Sequence, residues 1–281
     1  MNVADRQRPR PGELFLDHVS HFVPDVDAAA RVLEQLGFCV TPLSIQIADG
    51  KPAGTANRCV MLETGYLEFL APAGGIDTPN ARRLRERIDR FVGVHLACFG
   101  TPDAEAERRR LDAHGFGVLP LVELEREVEG GATVRFKVVR VEPEAMPEGR
   151  IQYVQQLTPE HIWTERNLAH DNGVIGLDAV YVVADDRAET AARWARFAAL
   201  LPRPDSHHVI LRTARGAVVV GEHVELTKTV GAMPAPPALA GYALKCRDAA
   251  RFAARCRDAG LRVERNVVTL PPSMGGCWLL T

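Results

Sequence analysis

Gly65-Tyr66-Leu67-Glu68-Phe69-Leu70 returns further along the chain as Gly149-Arg150-Ile151-Gln152-Tyr153-Val154. Each copy closes a stretch that opens on a histidine-bearing segment, Leu16-Asp17-His18-Val19 before the first and Val92-Gly93-Val94-His95-Leu96 before the second. An internal repeat of this kind sets the architecture. Here the repeated positions also carry His18, Glu68, His95 and Gln152, four side chains able to coordinate a metal.

Working outward from the first copy, the segment 14–22 alternates as a strand and meets Pro24-Asp25-Val26-Asp27, with Asp25 placed to cap a helix. Val26, Ala29, Ala30, Leu33 and Leu36 keep helical spacing, and Gly37 ends the run. Strands are expected at 38–42, 57–62 and 66–71, with a loop rich in Gly and Pro after the first, so the order is βαβββ. The same order is expected between Val92 and Leu157: a strand at 94–99, a helix capped by Thr101 with Pro102 in its first turn and ending at Gly115, then strands at 118–128, 133–141 and 150–157. A third copy starts at Gly176, with a helix over 189–200 and strands at 208–213 and 217–220. A fourth, shortened, starts at Gly241, with a helix over 248–259 and strands at 262–270 and 277–280. The fold class expected is α+β, built of four tandem βαβββ modules in two pairs, 13–172 and 173–281.

Two connecting stretches support that division. Residues 81–90 carry five arginines and read as a solvated amphipathic helix between the first two modules. Acidic Glu86 and Asp89 interrupt the charge and no aromatic residues interleave, which argues against a nucleic-acid contact. Gly231-Ala232-Met233-Pro234-Ala235-Pro236-Pro237 reads as a semi-rigid linker.

Composition narrows the function classes. A chain of 281 residues with 46% hydrophobic and 25% charged residues is that of an ordinary globular protein. Its net charge of -2 gives no global attraction to nucleic acid or to an anionic membrane. Six cysteines lack any CxxC spacing and mostly sit in apolar runs, as expected of buried thiols in a reducing cytosol. No apolar stretch reaches the length of a membrane span and the polar start has no signal-peptide core, so a cytoplasmic location is expected. GxSxG, P-loop, HExxH and strand-linked GxGxxG motifs are missing.

The segments Leu16-Asp17-His18-Val19, 26–38, Gly54-Thr55-Ala56-Asn57-Arg58 and Gly65–Leu70 resemble the vicinal oxygen chelate superfamily, in particular its glyoxalase-like branch. The second module is similar at His95, at the helix end Ala113-His114-Gly115-Phe116 and at the strand with Gln152; the third and fourth are similar in layout only. The resemblance implies that each pair of modules forms a half-barrel-like domain around one divalent metal, with ligands on the first and last strands of each module. Carried over position by position, these are His18, Glu68, His95 and Gln152. Such a mixed N and O site suits Zn, Ni, Co, Mn or Fe(II) and leaves positions for substrate oxygens. The resemblance gives Glu68 a second role as the base that moves a proton next to a metal-polarised carbonyl.

Other residues read less specifically. Taken singly, any of the four is better explained by a structural role or by support of a ligand than as a ligand itself, and Gln is a weak ligand. Gln156 shares the face of Gln152, so a bulge would exchange their roles, whereas Gln155 points the other way. His21 has the wrong parity to join His18, and His114 suits a helix C-terminus. Asn57, Arg58 and Arg135 lie on third strands expected to line the site and are candidates for gripping an anionic substrate group, against the reading that the arginines are salt-bridged strand ends. The second pair has Asp178 and Ala243 where His18 and His95 stand, so it reads as a decayed copy that covers the first pair or completes a homodimer. The expected function is a metal-dependent lyase or isomerase acting on a small-molecule substrate through an enediolate. The alternatives are an extradiol-type dioxygenase and a drug- or metabolite-binding protein similar to the bleomycin-resistance branch.

Overall fold

The stretch around His18 forms β1 (Phe15–Phe22), and the turn after it leads into α1 (Val26–Gln35). Asp25 caps that helix, its Oδ1 accepting from the backbone N–H groups of Asp27 and Ala28. The computed structural model describes residues 2–48, 50–128 and 131–281. Met1, in the polar start, and Asp49, in the Gly- and Pro-rich loop, lie outside the described residues, as do Glu129 and Gly130.

The next strand is β2 (Ser44–Ala48), not the expected 38–42; it is followed by the long β3 (Lys51–Met61) and by β4 (Tyr66–Pro72). The arginine-rich segment is α2 (Pro79–Arg90), capped by Thr78 and buried along Ala81 and Leu84. Then come β5 (Gly93–Gly100), α3 (Ala104–Ala113), β6 (Val122–Glu127), β7 (Thr133–Arg140) and β8 (Arg150–Gln156). The cap of α3 is Asp103, which accepts from Ala106 N, in place of Thr101.

These eight strands close in the order β1-β4-β3-β2-β6-β7-β8-β5. A complete barrel therefore replaces the half-barrel anticipated for this region. Within each repeat the first and last strands pair in parallel, and β1 with β5 and β2 with β6 join the repeats antiparallel. The glycine that begins each repeated motif has a steric reason. A Cβ on Gly65 would lie 2.8 Å from the Asp17 carbonyl, and one on Gly149 2.7 Å from the His95 carbonyl. In both repeats the closing strand starts against the backbone of the opening strand, where a side chain does not fit.

The remaining chain contains β9 (Val174–Ala184), α4 (Arg187–Ala198), β10 (Pro202–Pro204), β11 (His208–Arg212), β12 (Ala217–Glu222), α5 (His223–Val230), β13 (Ala238–Cys246), α6 (Ala249–Asp258), β14 (Arg262–Glu264), β15 (Val267–Thr269) and β16 (Cys277–Leu280). They form a second eight-stranded sheet, β10-β11-β12-β9-β13-β16-β15-β14. Its β9 and β13 pack on β1 and β5, and one continuous core joins Val19, Ala97 and Phe99 to Val180, Leu239, Tyr242 and Trp278. On the opposite face of this sheet, Leu226 and Val230 of α5 pack against Tyr181, Val183, Ala240 and Cys277. That helix, unexpected from the sequence, covers this second face of the sheet with apolar side chains. The segment expected as one strand over 262–270 is a hairpin, β14 and β15, turning at Arg265 with φ 53°.

Candidate active site

Strand alternation decides which side chains enter the barrel. β4 turns Tyr66, Glu68 and Leu70 inward, β8 turns Gln152 and Val154, and β3 turns Asn57, all of them walls of one cavity of about 380 Å³. His18 lines the same cavity from β1, and Arg126, Arg140 and Arg150 line it from β6, β7 and β8.

Glu68 is held at one oxygen. Its Oε1 accepts from Asn57 Nδ2 at 2.5 Å and from Gln46 Nε2 at 3.4 Å. Asn57 in turn accepts at Oδ1 from Arg126 Nη1 at 3.1 Å, so an ordered chain runs from the guanidinium to the carboxylate. Arg126 is buried and its Nε has no partner among the described residues. Burial disfavours its charge, but Cys59, Tyr66 and Glu68 nearby outweigh that and hold its pKa above the usual arginine value. Burial pushes the Cys59 thiol up to about 11, against the pull of Arg126.

His18 is held from the other side. Its Nδ1 lies 2.6 Å from Asp17 Oδ1, and its ring stacks on Tyr66 with centroids 4.3 Å apart. Gln156 Nε2 donates to the same Asp17 oxygen at 3.3 Å, and the buried Oδ2 of Asp17 has no hydrogen-bond partner among the described residues. A carboxylate on Nδ1 fixes the ring and leaves Nε2 as the nitrogen free to bind something else. Burial, with Asp17 and Glu68 adding to it, raises the Tyr66 pKa well above the usual phenol range, so Tyr66 is a neutral donor or acceptor.

His95 is not part of this cavity. The register of β1 on β5 runs Ser20 with Leu96 and then His21 with Val94, which leaves His95 as the extra residue of a bulge. Its Nε2 lies 2.7 Å from the Phe91 carbonyl oxygen and its ring is stacked between Phe91 and Phe22. Leu96 faces the cavity in its place. Of the four side chains singled out in the sequence, the fold therefore brings three together: His18, Glu68 and Gln152.

The two anion-gripping arginines are corrected as well. Arg58 alternates to the outside and pairs with Asp27 at 2.8 Å; exposed Arg135 faces Glu125 at 3.9 Å. Asn57 does enter the cavity, where it orients Glu68. Gln155 points outward to cap α3 at Ala104 N, and His21 leaves the barrel toward Met274 O and Tyr242 Oη. Arg126, Arg140 and Arg150 belong to no motif in the sequence, yet they line the cavity, and Asp17, next to His18 in the first strand, holds that ring. Parity held the signal for Arg126 and Arg140, since Leu124 and Val138 two residues before them also line the cavity.

Among the described residues no three His, Cys, Asp or Glu side chains are grouped to hold a metal. His18 and Glu68 are two such donors, and Gln152 adds an amide oxygen. Three N and O donors fit a divalent ion whose other positions are taken by water or substrate, and they do not fit the four-ligand site expected.

The family model for the glyoxalase-like domain matches residues 16–198, and the chain belongs to that family. A crystal structure of a hypothetical protein from Staphylococcus aureus is similar with a TM-score of 0.67 at 13% identity, over 95% of this chain and 98% of that one. A 4-hydroxymandelate synthase variant from Streptomyces coelicolor is similar at 0.58 and 15% identity, over 92% of this chain and 77% of that one. The Mn(II)-bound glyoxalase from Novosphingobium aromaticivorans is similar at 0.58 and 10% identity, over 95% and 81%. No curated protein matches the chain. Among the described residues no helix is long and apolar enough to cross a membrane.

Proposed function

We propose that the first barrel is the active site of a glyoxalase-like metal-dependent lyase or isomerase, which moves a proton on a small oxygenated substrate with Glu68 as the base. The observation that carries this reading is the asymmetry of Glu68: Asn57 and Gln46 hold Oε1, while Oε2 has no hydrogen bond among the described residues in a carboxylate that lines the cavity. A base needs one fixed oxygen for orientation and one free oxygen to take the proton. His18, Glu68 and Gln152 are the residues that would hold the ion, of the Zn, Ni, Co, Mn or Fe(II) class. When bound, such an ion supplies Lewis-acid polarisation of a substrate carbonyl. Around it, Asp17 fixes the His18 ring, and Arg126 steadies Asn57 and through it Glu68. This reading takes the chain as four βαβββ modules paired at 13–172 and 173–281, with the site in the first pair.

Leu96 favours one second reading, a metabolite- or drug-binding protein that needs no metal, because it removes a donor from the cavity. It also weighs against extradiol chemistry, which relies on two His and one carboxylate. The test is metal analysis of protein purified without chelator or nickel resin, together with deuterium exchange from D2O into a panel of small 2-hydroxy ketones followed by NMR. About one ion per chain and exchange lost in Glu68→Gln are expected. Metal-free protein that still binds a small molecule after reconstitution attempts would leave the binding-protein reading standing instead.

A further inference from the structure

Arg140 ends β7, Arg150 begins β8, and Asn80 and Arg83 lie on the first turns of α2. These four residues line the inner cavity with Glu68 and also a second, outer cavity of about 500 Å³, so they form the wall that the two share. Several arginines elsewhere in the chain pair with carboxylates: Arg82 and Arg85 with Asp77, Arg110 with Glu107, Arg193 with Glu148, Arg255 with Asp171. Those of this wall do not. Among the described residues Arg83, Arg140 and Arg150 form no ion pair; Arg150 reaches only Asn80 Oδ1 at 3.3 Å and the face of the Phe22 ring at 5.4 Å. Arg140 and Arg150 are half-buried, and the Nε of Arg140 is buried with no hydrogen-bond partner among the described residues. Glu86, Glu142 and Glu144 line the outer cavity and pair with none of them.

Like charges gathered in a partly dry wall repel one another and lose hydration, and a protein tolerates this where a ligand supplies the counter-charge. Guanidinium forks match the planar or tetrahedral oxygens of a carboxylate or phosphate. We propose that Arg83, Arg140 and Arg150, with Asn80, bind an oxyanion at the far end of the ligand, so that the substrate is a small organic acid or phosphate monoester whose reacting carbon lies toward Glu68. This rests on the first barrel being a ligand site. It does not require a bound metal or turnover, and a cavity of about 380 Å³ accommodates only a small molecule of this kind.

Binding is read by calorimetry and by thermal shift on the full chain, as purified and after chelator treatment, with inorganic phosphate, pyruvate and methyl pyruvate as probes. Saturable binding of pyruvate points to a carboxylate ligand and of phosphate to a phosphate ester; the uncharged ester should not bind. Arg140→Met should weaken the bound anion about tenfold or more, the loss expected for a charge-assisted hydrogen bond, and should raise the melting temperature of the unliganded protein because it removes an unpaired charge. Arg83→Gln, at an exposed position, folds in any case and should also weaken binding. Glu68→Gln should still bind the anion, which separates this site from the proton-transfer reading. No binding of either anion, or binding unchanged in both arginine variants, overturns the proposal.

Discussion

His18 and Leu96 hold equivalent places in the two repeats: His18 lies opposite Tyr66 two residues before Ser20 meets Glu68, and Leu96 lies opposite Arg150 two residues before Cys98 meets Gln152. Both side chains face the same cavity. The second imidazole is thus missing from the cavity at the register position where the first stands. Substituting Leu96→His places a fourth donor there, and metal affinity should rise by at least about tenfold. His95→Ala should leave metal content unchanged while His18→Ala loses it. Elemental analysis of the three variants after dialysis checks this, and loss of metal in His95→Ala would overturn the register argument.

Glu68→Gln keeps the shape of the side chain and removes the basic oxygen. Proton exchange should fall by about 10² to 10⁴, the usual worth of a positioned base. Asn57→Ala should give a smaller loss, since Glu68 remains but is no longer held at Oε1 by its 2.5 Å donor. Rates measured by NMR exchange rank the three proteins; equal rates in wild type and Glu68→Gln would remove Glu68 from the chemistry.

Arg58 and Arg135 stand on the outer surface of the barrel, so Arg58→Ala and Arg135→Ala should leave ligand binding intact. Arg135→Ala should cost less than about 1 kcal/mol of stability, because exposed pairs contribute little, and Arg58→Ala more, because half-buried Arg58 also donates to the Thr41 carbonyl at 3.0 Å. Urea denaturation and ligand titration of both variants give the comparison. A marked loss of binding in either would place it back in the site.

Much of the first repeat could be read from the chain because its signals are local. Asp25 caps, Gly37 stops the helix, and the parity of Asn57 and Glu68 follows from strands with one face in the cavity. The failures have a physical pattern. The stretch from Val94 to Phe99 is buried on both faces, so its sequence shows no alternation, and nothing local reveals that a bulge shifts His95 by one position. Thr101 and Asp103 are both good caps two residues apart, and tertiary packing chooses between them. Helix α5 is short and mostly polar, and its two anchors, Leu226 and Val230, gain meaning only against the sheet beneath. Arg126, Arg140 and Arg150 read as ordinary surface charges until the barrel closes around them.

The two buried histidines outside the cavity set an acid limit on the fold. Burial pulls His21 and His95 down to about 4, from an ordinary value of 6.5, in spite of hydrogen bonds to Met274 and Phe91 carbonyls that raise them. Above pH 6.5 both rings are neutral folded or unfolded, and neither affects the pH dependence. As pH falls through 6.5 the unfolded chain takes up protons that the native protein refuses, so stability drops and goes on dropping until pH 4, where the native rings also protonate. Each histidine accounts for about 3 kcal/mol across that window. The glutamine variants His21→Gln and His95→Gln, which cannot protonate but retain an N–H donor, should each flatten the fall of melting temperature over this range. Their combination should flatten it most, since both protonation sites are removed, though by less than the sum of the two, because a charge on His21 is one of the causes that lower His95. Scanning calorimetry from pH 7 to pH 4 decides it: a slope unchanged by both substitutions would mean that these rings already carry protons in the native state.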